Sequence, residues 1–171
     1  MRNYRDLLDR MQDFCTFLAK LADLSAKLML SPMAEGKWSM QEVIAHIMVY
    51  DEIFLQSVVL ALEDGRLPVV PDPADNQTLN DKAAALGRKL TKGRLLSRAT
   101  LARTQLVDHL RRLPAERFLT RQEGLPDGDL GMLLQEDCVD HDRLHVEQMR
   151  EYLKSHGRLG MELPGGEMRP P

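Results

Sequence analysis

Apolar residues recur at intervals of three and four along most of the chain, which is the period of an α-helix with one buried face. The first such stripe predicts a helix from about Tyr4 to Leu30, ended by Ser31-Pro32. Its members are Leu7, Met11, Phe14, Leu18, Leu21, Leu24 and Leu28. No segment alternates apolar and polar residues over the length of a strand, so the pattern predicts an all-α fold.

A second helix is predicted to begin at Ser39, because Glu42 three residues later completes a capping box. Its apolar stripe ends at Asp64-Gly65, and residues 64–77, with three prolines and no helical period, are expected to form a long connection. A third helix is expected from about Thr78 to Arg112, since Pro114 follows it. Gly87 and Gly93 are points of irregularity inside this helix.

A fourth helix is predicted from the cap at about Asp129 to Ser155 or His156, with Gly157 just past its end. A second long connection, residues 113–128, precedes it. Four amphipathic helices of this length are typical of a four-helix bundle. The expected domain is residues 1–156, and residues 157–171 are expected to be an irregular C-terminal tail.

Three histidines carry the candidate chemistry of the chain. His141 and His145 form an H-x-x-x-H pair in the fourth predicted helix, and residues four apart on a helix share a face. His46 lies in the second predicted helix and can supply a third imidazole. Three imidazoles leave coordination positions open for water or substrate, which is typical of a catalytic metal site. His109 and His156 lack such partners and are expected on the surface.

The positions of these histidines along their helices constrain the topology. His46 lies about 7 residues after its helix begins, which is roughly 10 Å along the axis. The H-x-x-x-H pair lies about 10 to 15 residues before the last helix ends, or roughly 15–22 Å. These heights match best if the second and fourth helices are antiparallel. The connection 64–77 would then cross the bundle, giving an up-down-down-up order.

Other polar residues near the histidines have two interpretations each. Cys138 precedes His141 by one turn and could be a fourth ligand or a nucleophile, but a small buried apolar role is favoured. Asp137 could accept a hydrogen bond from a ligand imidazole, and Glu42 could do the same if capping leaves it free. Asp142 is expected to face another helix or solvent rather than the metal.

Composition excludes several classes of protein. Hydrophobic residues make up 43% and charged residues 29% of the chain, and the formal net charge of −3 argues against a nucleic-acid partner. The basic residues between Arg88 and Arg112 are interpreted as a solvated helix face. Charged residues interrupt the first apolar positions, so neither a signal peptide nor a membrane span is predicted. Two isolated cysteines favour a reducing cytoplasm.

Two runs in this chain resemble one known family. The run W-S-x-x-E-V-I-x-H-I at 38–47, followed by H-D-R-L-H-V-E-Q at 141–148, resembles the DinB/YfiT-like superfamily, over roughly residues 4–155. The resemblance implies a divalent metal, zinc or nickel, bound by His46, His141 and His145. It also implies an up-down-down-up four-helix bundle and a homodimer.

The resemblance covers several activities. Members of this family include thiol S-transferases for bacillithiol or mycothiol, thiol-using maleylpyruvate isomerases and proposed hydrolases. The chain itself offers no clear protein nucleophile. The expected function is therefore a metal-dependent enzyme in which the three-His ion activates a low-molecular-weight thiol against a small electrophile, or activates water. The alternatives are a non-catalytic metal-binding protein and a stress-response or interaction module.

Overall fold

The computed structural model describes residues 4–71 and 76–158, and over these residues the protein is all-α. In chain order the α-helices are α1 (Tyr4–Lys20), α2 (Ala26–Leu30), α3 (Met40–Phe54), α4 (Leu60–Glu63), α5 (Asn76–Lys89), α6 (Lys92–Arg112), α7 (Glu116–Leu119), α8 (Leu130–Leu134) and α9 (His141–Ser155). A π-helical segment, Leu55–Val59, joins α3 to α4, and another, Gln135–Asp140, joins α8 to α9. The described residues contain no strand, only an isolated bridge between Pro32 and Ser39.

The predicted first helix is wrong in its extent, because the chain turns between α1 and α2. Leu21 and Leu24 donate backbone hydrogen bonds three residues back, which closes tight turns instead of continuing the helix. Ser25 then caps α2 by accepting the backbone N–H of Leu28. Leu21 and Leu24 stay buried, so the apolar period continues through a segment that is not helical.

The predicted third helix is also wrong, because it is two helices. The break falls at Leu90-Thr91, where the Thr91 side chain accepts the backbone N–H of Arg94 and starts α6. α5 lies against α3 in the opposite direction, since Gln41 donates to the carbonyls of Gly87 and Leu90. The end of the segment 64–77, which was expected to be a connection without helical structure, is helical, because α5 begins at Asn76.

The predicted caps of the other two helices are confirmed. Ser39 accepts the backbone N–H of Glu42, and the Glu42 carboxylate accepts the backbone N–H of Ser39, so both halves of the capping box are present. Asp129 caps α8 by accepting the N–H of Met132. Gly157 has a φ of 71° just past the end of α9, where a left-handed residue closes the helix. Residues 159–171, most of the expected tail, lie outside the described residues.

The core consists of two apolar clusters stacked along the helices. One contains the first half of α1, the segment Phe54–Leu62, the second half of α6 and the segment Leu130–Val139. The other contains the second half of α1, the first half of α3, the first half of α6 and the second half of α9. His46 lies on the part of α3 that belongs to the second cluster, whereas His141 and His145 lie between Val139 of the first cluster and Val146 of the second. The three candidate histidines are therefore close to the junction of the two clusters.

The continuous helix Met40–Glu63 is the most apolar element of the described chain. It is the one described helix that is long and apolar enough to cross a membrane, with a mean hydropathy of 1.6 in its most apolar window. However, 61% of that window is buried inside the protein. Such burial is what the central helix of a globular core requires.

Candidate metal centre

The structure brings His46, His141 and His145 together. The Nε2 atom of His141 lies 3.0 Å from Nε2 of His46 and 3.1 Å from Nε2 of His145. One ring nitrogen from each of the three lies within 4.8 Å of the other two. Two nitrogens that bind one zinc ion at 2.0–2.1 Å, in tetrahedral geometry, are about 3.4 Å apart. The spacing of the imidazoles is therefore close to what a shared ion demands.

Local structure sets the direction of each imidazole. The capping box fixes where α3 begins, and His46 follows on its buried face with 4% of its surface exposed. The π-helical segment Gln135–Asp140 ends immediately before His141 and so determines how α9 is rotated. π-Helical turns are frequently found at functional sites, because an extra residue turns the side chains that follow toward a new direction. The four-residue spacing within α9 then places His145 beside His141.

Hydrogen bonding alone does not account for the three converging nitrogens. An imidazole nitrogen has either one N–H or one in-plane lone pair, so His141 Nε2 can pair well with one neighbour and not with two. The Nδ1 atom of His145 lies 3.3 Å from Gln148 Oε1, which favours the tautomer with a lone pair on Nε2. His46 Nδ1 is buried and has no partner in hydrogen-bond geometry among the described residues, although the Asn80 side chain lies close enough to oppose the lowering of the His46 pKa. A cation bound by all three nitrogens would satisfy this arrangement.

All three imidazoles are held in the neutral form. Burial, reinforced by His141 and His145, lowers the pKa of His46 to about 3. Burial also lowers the pKa of His141 to about 4, with smaller contributions from His145 and Arg103. The pKa of His145 is lowered by burial, against which the Gln148 hydrogen bond acts. Neutral imidazole is the form that ligates a metal, so the site is ready to bind one at neutral pH.

Two cavities reach the histidines. A cavity of about 1070 Å³ contacts His46 and His141. It extends between α3, α5 and the loops that contain Val69 and Leu125, and Tyr50 and Asn80 supply polar groups on its wall. A second cavity, of about 560 Å³, contacts His145 and is bounded by Trp38 and Tyr152. Both volumes are large enough for small organic molecules.

The other predicted candidates lie elsewhere. Cys138 is buried in the first apolar cluster and also lines the larger cavity, and burial raises the pKa of its thiol well above the usual range, which disfavours the thiolate that a nucleophile needs. The Glu42 carboxylate is occupied by Ser39 and Arg88. Asp137 is exposed on the rim of the larger cavity. His156 is exposed as predicted, whereas His109 is half-buried and its Nδ1 lies 2.9 Å from a carboxylate oxygen of Glu63.

Sequence reasoning missed a buried ionic cluster next to the histidines. Arg103 was expected on a solvated face, but it is 1% exposed. It donates two hydrogen bonds of 2.9 Å to the Asp51 carboxylate and one of 2.5 Å to Asp142. Asp142 therefore faces another helix, which was one of the two expectations for it. The missed signal is that Arg103 interrupts the apolar stripe of α6 between Ala99 and Leu106.

The fold and the site define a helical protein with three imidazoles, from two helices, that converge between two cavities. Comparison of the sequence with known protein families identifies its family. The model of the DinB superfamily matches residues 8–149, and the chain belongs to that superfamily. No curated protein and no solved structure matches the chain.

Proposed function

We propose that the protein is a metal-dependent enzyme whose divalent ion, zinc or nickel, is held by His46, His141 and His145. The observation that carries the proposal is the convergence of three neutral ring nitrogens within 4.8 Å of one another. A divalent ion bound there would lower the pKa of a thiol or a water molecule, or polarise a carbonyl. The chain contributes the three ligands and the cavity walls, and the described residues around the site offer no nucleophile of their own.

The larger cavity supports a small, uncharged electrophile as substrate. Its wall is mostly apolar, and Tyr50, Asn76 and Asn80 form a short chain of hydrogen bonds along one side of it. Arg103 is the cation on the described part of this wall, and its donors are taken by Asp51 and Asp142. No free cation is left on that wall to receive a carboxylate or phosphate, so an anionic substrate is disfavoured.

The smaller cavity supports a two-substrate reaction. His145 faces it, while His46 and His141 face the larger one, so two molecules can approach the site from different sides. We assign the low-molecular-weight thiol to the smaller cavity, where Lys37, Gln148 and Ser155 offer polar contacts beside Trp38. A thiol transferase is thereby favoured over a hydrolase, which needs no second organic substrate.

We also infer that the four long segments form an up-down-down-up bundle. Supporting contacts join α6 to the continuous helix Met40–Glu63 in the same direction, from Arg98 at Glu52 to His109 at Glu63. The two clusters support one common direction for α1 and α9, opposite to that of α3 and α6, because α1 and the segment that leads into α9 both begin in the first cluster and end in the second. A homodimer through the bundle faces completes this proposal. Leu101 on α6 and Leu144 on α9 are exposed apolar residues available for such an interface, and sedimentation velocity tests it.

The test of the proposed function combines metal analysis with an activity assay on protein purified without a histidine tag. Trp38 is the single tryptophan of the chain, and its ring lies 5.4 Å from the His46 ring, so Ni²⁺ or Co²⁺ should quench its fluorescence on binding. We expect about one equivalent of divalent metal. The loaded protein should consume chlorodinitrobenzene, an uncharged electrophile, only when a small thiol such as cysteine is added.

Two histidine variants distinguish the loss of a metal ligand from the effect of replacing a histidine that does not bind the metal. His145→Gln should weaken metal binding at least tenfold and remove turnover, because two imidazoles hold an ion far less well than three. His156→Gln, on the exposed end of the same helix, should change neither. Metal binding without any thiol-dependent or hydrolytic turnover would favour the non-catalytic alternative. A chain that binds no Zn²⁺, Ni²⁺ or Co²⁺ would rule out the site.

A further inference from the structure

The geometry points to Arg103, Asp51 and Asp142 as positioning residues for the metal centre: a buried ionic clamp that holds the two histidine-bearing helices in register. This inference rests on the proposed function, because it concerns the alignment of the proposed ligands. These three side chains are called the clamp.

The clamp connects four of the helices around the site. Asp51 lies on α3, five residues after His46, and Asp142 directly follows His141 on α9. Arg103 on α6 reaches both carboxylates. The same guanidinium donates a 3.0 Å hydrogen bond to the backbone carbonyl of Met11 on α1. One side chain thus fixes α3, α9 and α1 relative to α6.

The bonding of the clamp is directional. Arg103 uses Nε and Nη2 for the two oxygens of Asp51, a bidentate pairing that sets both distance and angle. Its Nη1 is shared between Asp142 Oδ2 and the Met11 carbonyl. The guanidinium carbon lies 5.1 Å from the centroid of the Phe14 ring, which limits movement on the remaining side. Apolar side chains at these positions could fill space but could not specify such angles.

Stability alone is a poor explanation for the clamp. The Arg103 and Asp51 side chains are 1% and 3% exposed, and that of Asp142 is 10% exposed, so three charged groups have lost their hydration. Replacing buried ion clusters with apolar residues is often neutral or stabilising, because the desolvation cost can exceed the attraction. Orientation is what the ionic cluster supplies and an apolar one does not. The residue oriented most directly is His141, the peptide neighbour of Asp142.

The adjacent surface offers a matched control. Arg98 on α6 and Glu52 on α3 form a bidentate pair between the same two helices, with hydrogen bonds of 2.7 Å. Their side chains are 44% and 34% exposed, and among the described residues neither forms a hydrogen bond or ion pair with α9. A clamp that acts by positioning should be sensitive to substitution, whereas this exposed pair should not be.

The experiment compares three full-length variants with the parent protein. Asp51→Ala/Arg103→Met/Asp142→Ala removes all buried charge, so that no unpaired charge is left to unfold the chain. Asp142→Asn keeps a hydrogen-bond acceptor for Arg103, and it tests the clamp if the triple variant does not fold. Arg98→Met/Glu52→Gln is the control. Each is measured for thermal unfolding, for Zn²⁺ affinity, for the visible absorption of bound Co²⁺, and for the ring ¹⁵N resonances of the metal-free histidines.

We expect the triple variant to unfold cooperatively, yet to bind Zn²⁺ at least tenfold more weakly, with a changed Co²⁺ spectrum. Asp142→Asn should weaken Zn²⁺ binding at least threefold, and the control should stay within twofold of the parent. Folded variants with Zn²⁺ affinity within twofold and an unchanged Co²⁺ spectrum would overturn the clamp. If the parent binds no metal, the proposed function fails. In that case the ring ¹⁵N resonances of the metal-free histidines test the clamp on their own. Shifted resonances of His141 and His145 in the triple variant support the clamp, and unchanged resonances refute it.

Discussion

At the scale of single residues, the protonation of the histidines has a measurable consequence. In the metal-free fold the pKa values of His46 and His141 are about 3 and 4, below the ordinary value near 6.5. The unfolded chain therefore takes up protons as pH falls below 6.5 while the folded chain does not. The contribution of these residues to stability is present above pH 6.5 and is lost as pH falls toward 4 and 3.

His46→Gln should remove part of this pH dependence. Between pH 7.5 and pH 5 the free energy of unfolding of the metal-free parent should fall by about 2 kcal/mol more than that of the variant. Burial raises the pKa of Asp51, which acts in the opposite direction at acidic pH, but this contribution is common to both proteins. Urea unfolding in the presence of chelator measures the difference. Equal pH dependence in the two proteins would contradict the buried, neutral state of His46.

The sequence predicted the three histidines but not the clamp, for a physical reason. Four-residue spacing and an apolar face are local properties, and they are enough to place His141 and His145 side by side. Whether an arginine turns inward depends on partners from other helices, here Asp51 and Asp142, which lie 52 and 39 residues away along the chain. On a helix as basic as α6, a solvated face was therefore the natural interpretation of Arg103.

At the scale of elements, the residues at which helices begin could be predicted from the sequence, whereas the breaks within the predicted helices could not. Ser39 and Asp129 carry their caps in the local sequence, and the structure confirms both. The turns after Lys20 and Lys89 leave the apolar period intact, because the helices on either side bury the same stripe. The π-helical segments before Leu60 and His141 have no equally clear local signature, since a π turn differs from an α turn by a single hydrogen-bond register.

The contact between α5 and α3 depends on one glycine. A Cβ at Gly87 would lie 2.9 Å from both the Gln41 carbonyl oxygen and the Ala45 Cβ, closer than these atoms can approach. Gly87→Ala should therefore destabilise the protein by about 1–3 kcal/mol, although alanine favours a helix by about 1 kcal/mol. The wall that α5 gives the larger cavity, through Asn80, should loosen as well. Thermal and urea unfolding test the first effect.

Gly93 is the control for this prediction. It lies in the first turn of α6, and nothing lies within 4 Å of a Cβ added there. Gly93→Ala should leave the free energy of unfolding unchanged or raise it by up to about 1 kcal/mol. If both alanine variants proved equally stable, α5 would not pack against α3 as closely as described.

At the scale of the whole molecule, the metal is expected to add stability to a fold that exists without it. Two apolar clusters extend along the helices, and neither depends on an ion. An ion bound to the folded chain and not to the unfolded one adds about 2.7 kcal/mol when its free concentration is 100 times the Kd. Removing it with chelator at pH 7.5 should lower the Tm while leaving the helical circular dichroism at room temperature unchanged. A chain that lost its helices on chelation would contradict this.

The pH range of metal binding follows from the same burial. Three ordinary histidines with a pKa of 6.5 would lose about 1,000-fold in affinity between pH 7.5 and pH 5.5, because protons compete for each ligand. Here His46 and His141 remain neutral at pH 5.5, since their pKa values are about 3 and 4, and the pKa of His145 is also lowered. Proton competition is therefore confined to His145, and the affinity for Zn²⁺ should fall by less than about tenfold over this range.

The metal-linked part of the stability should persist at pH 5.5 and disappear only as pH falls through about 4 and 3. Calorimetric titration with Zn²⁺ at pH 7.5 and 5.5 gives the two affinities, and a loss of 100-fold or more would show that the imidazoles are open to water in solution.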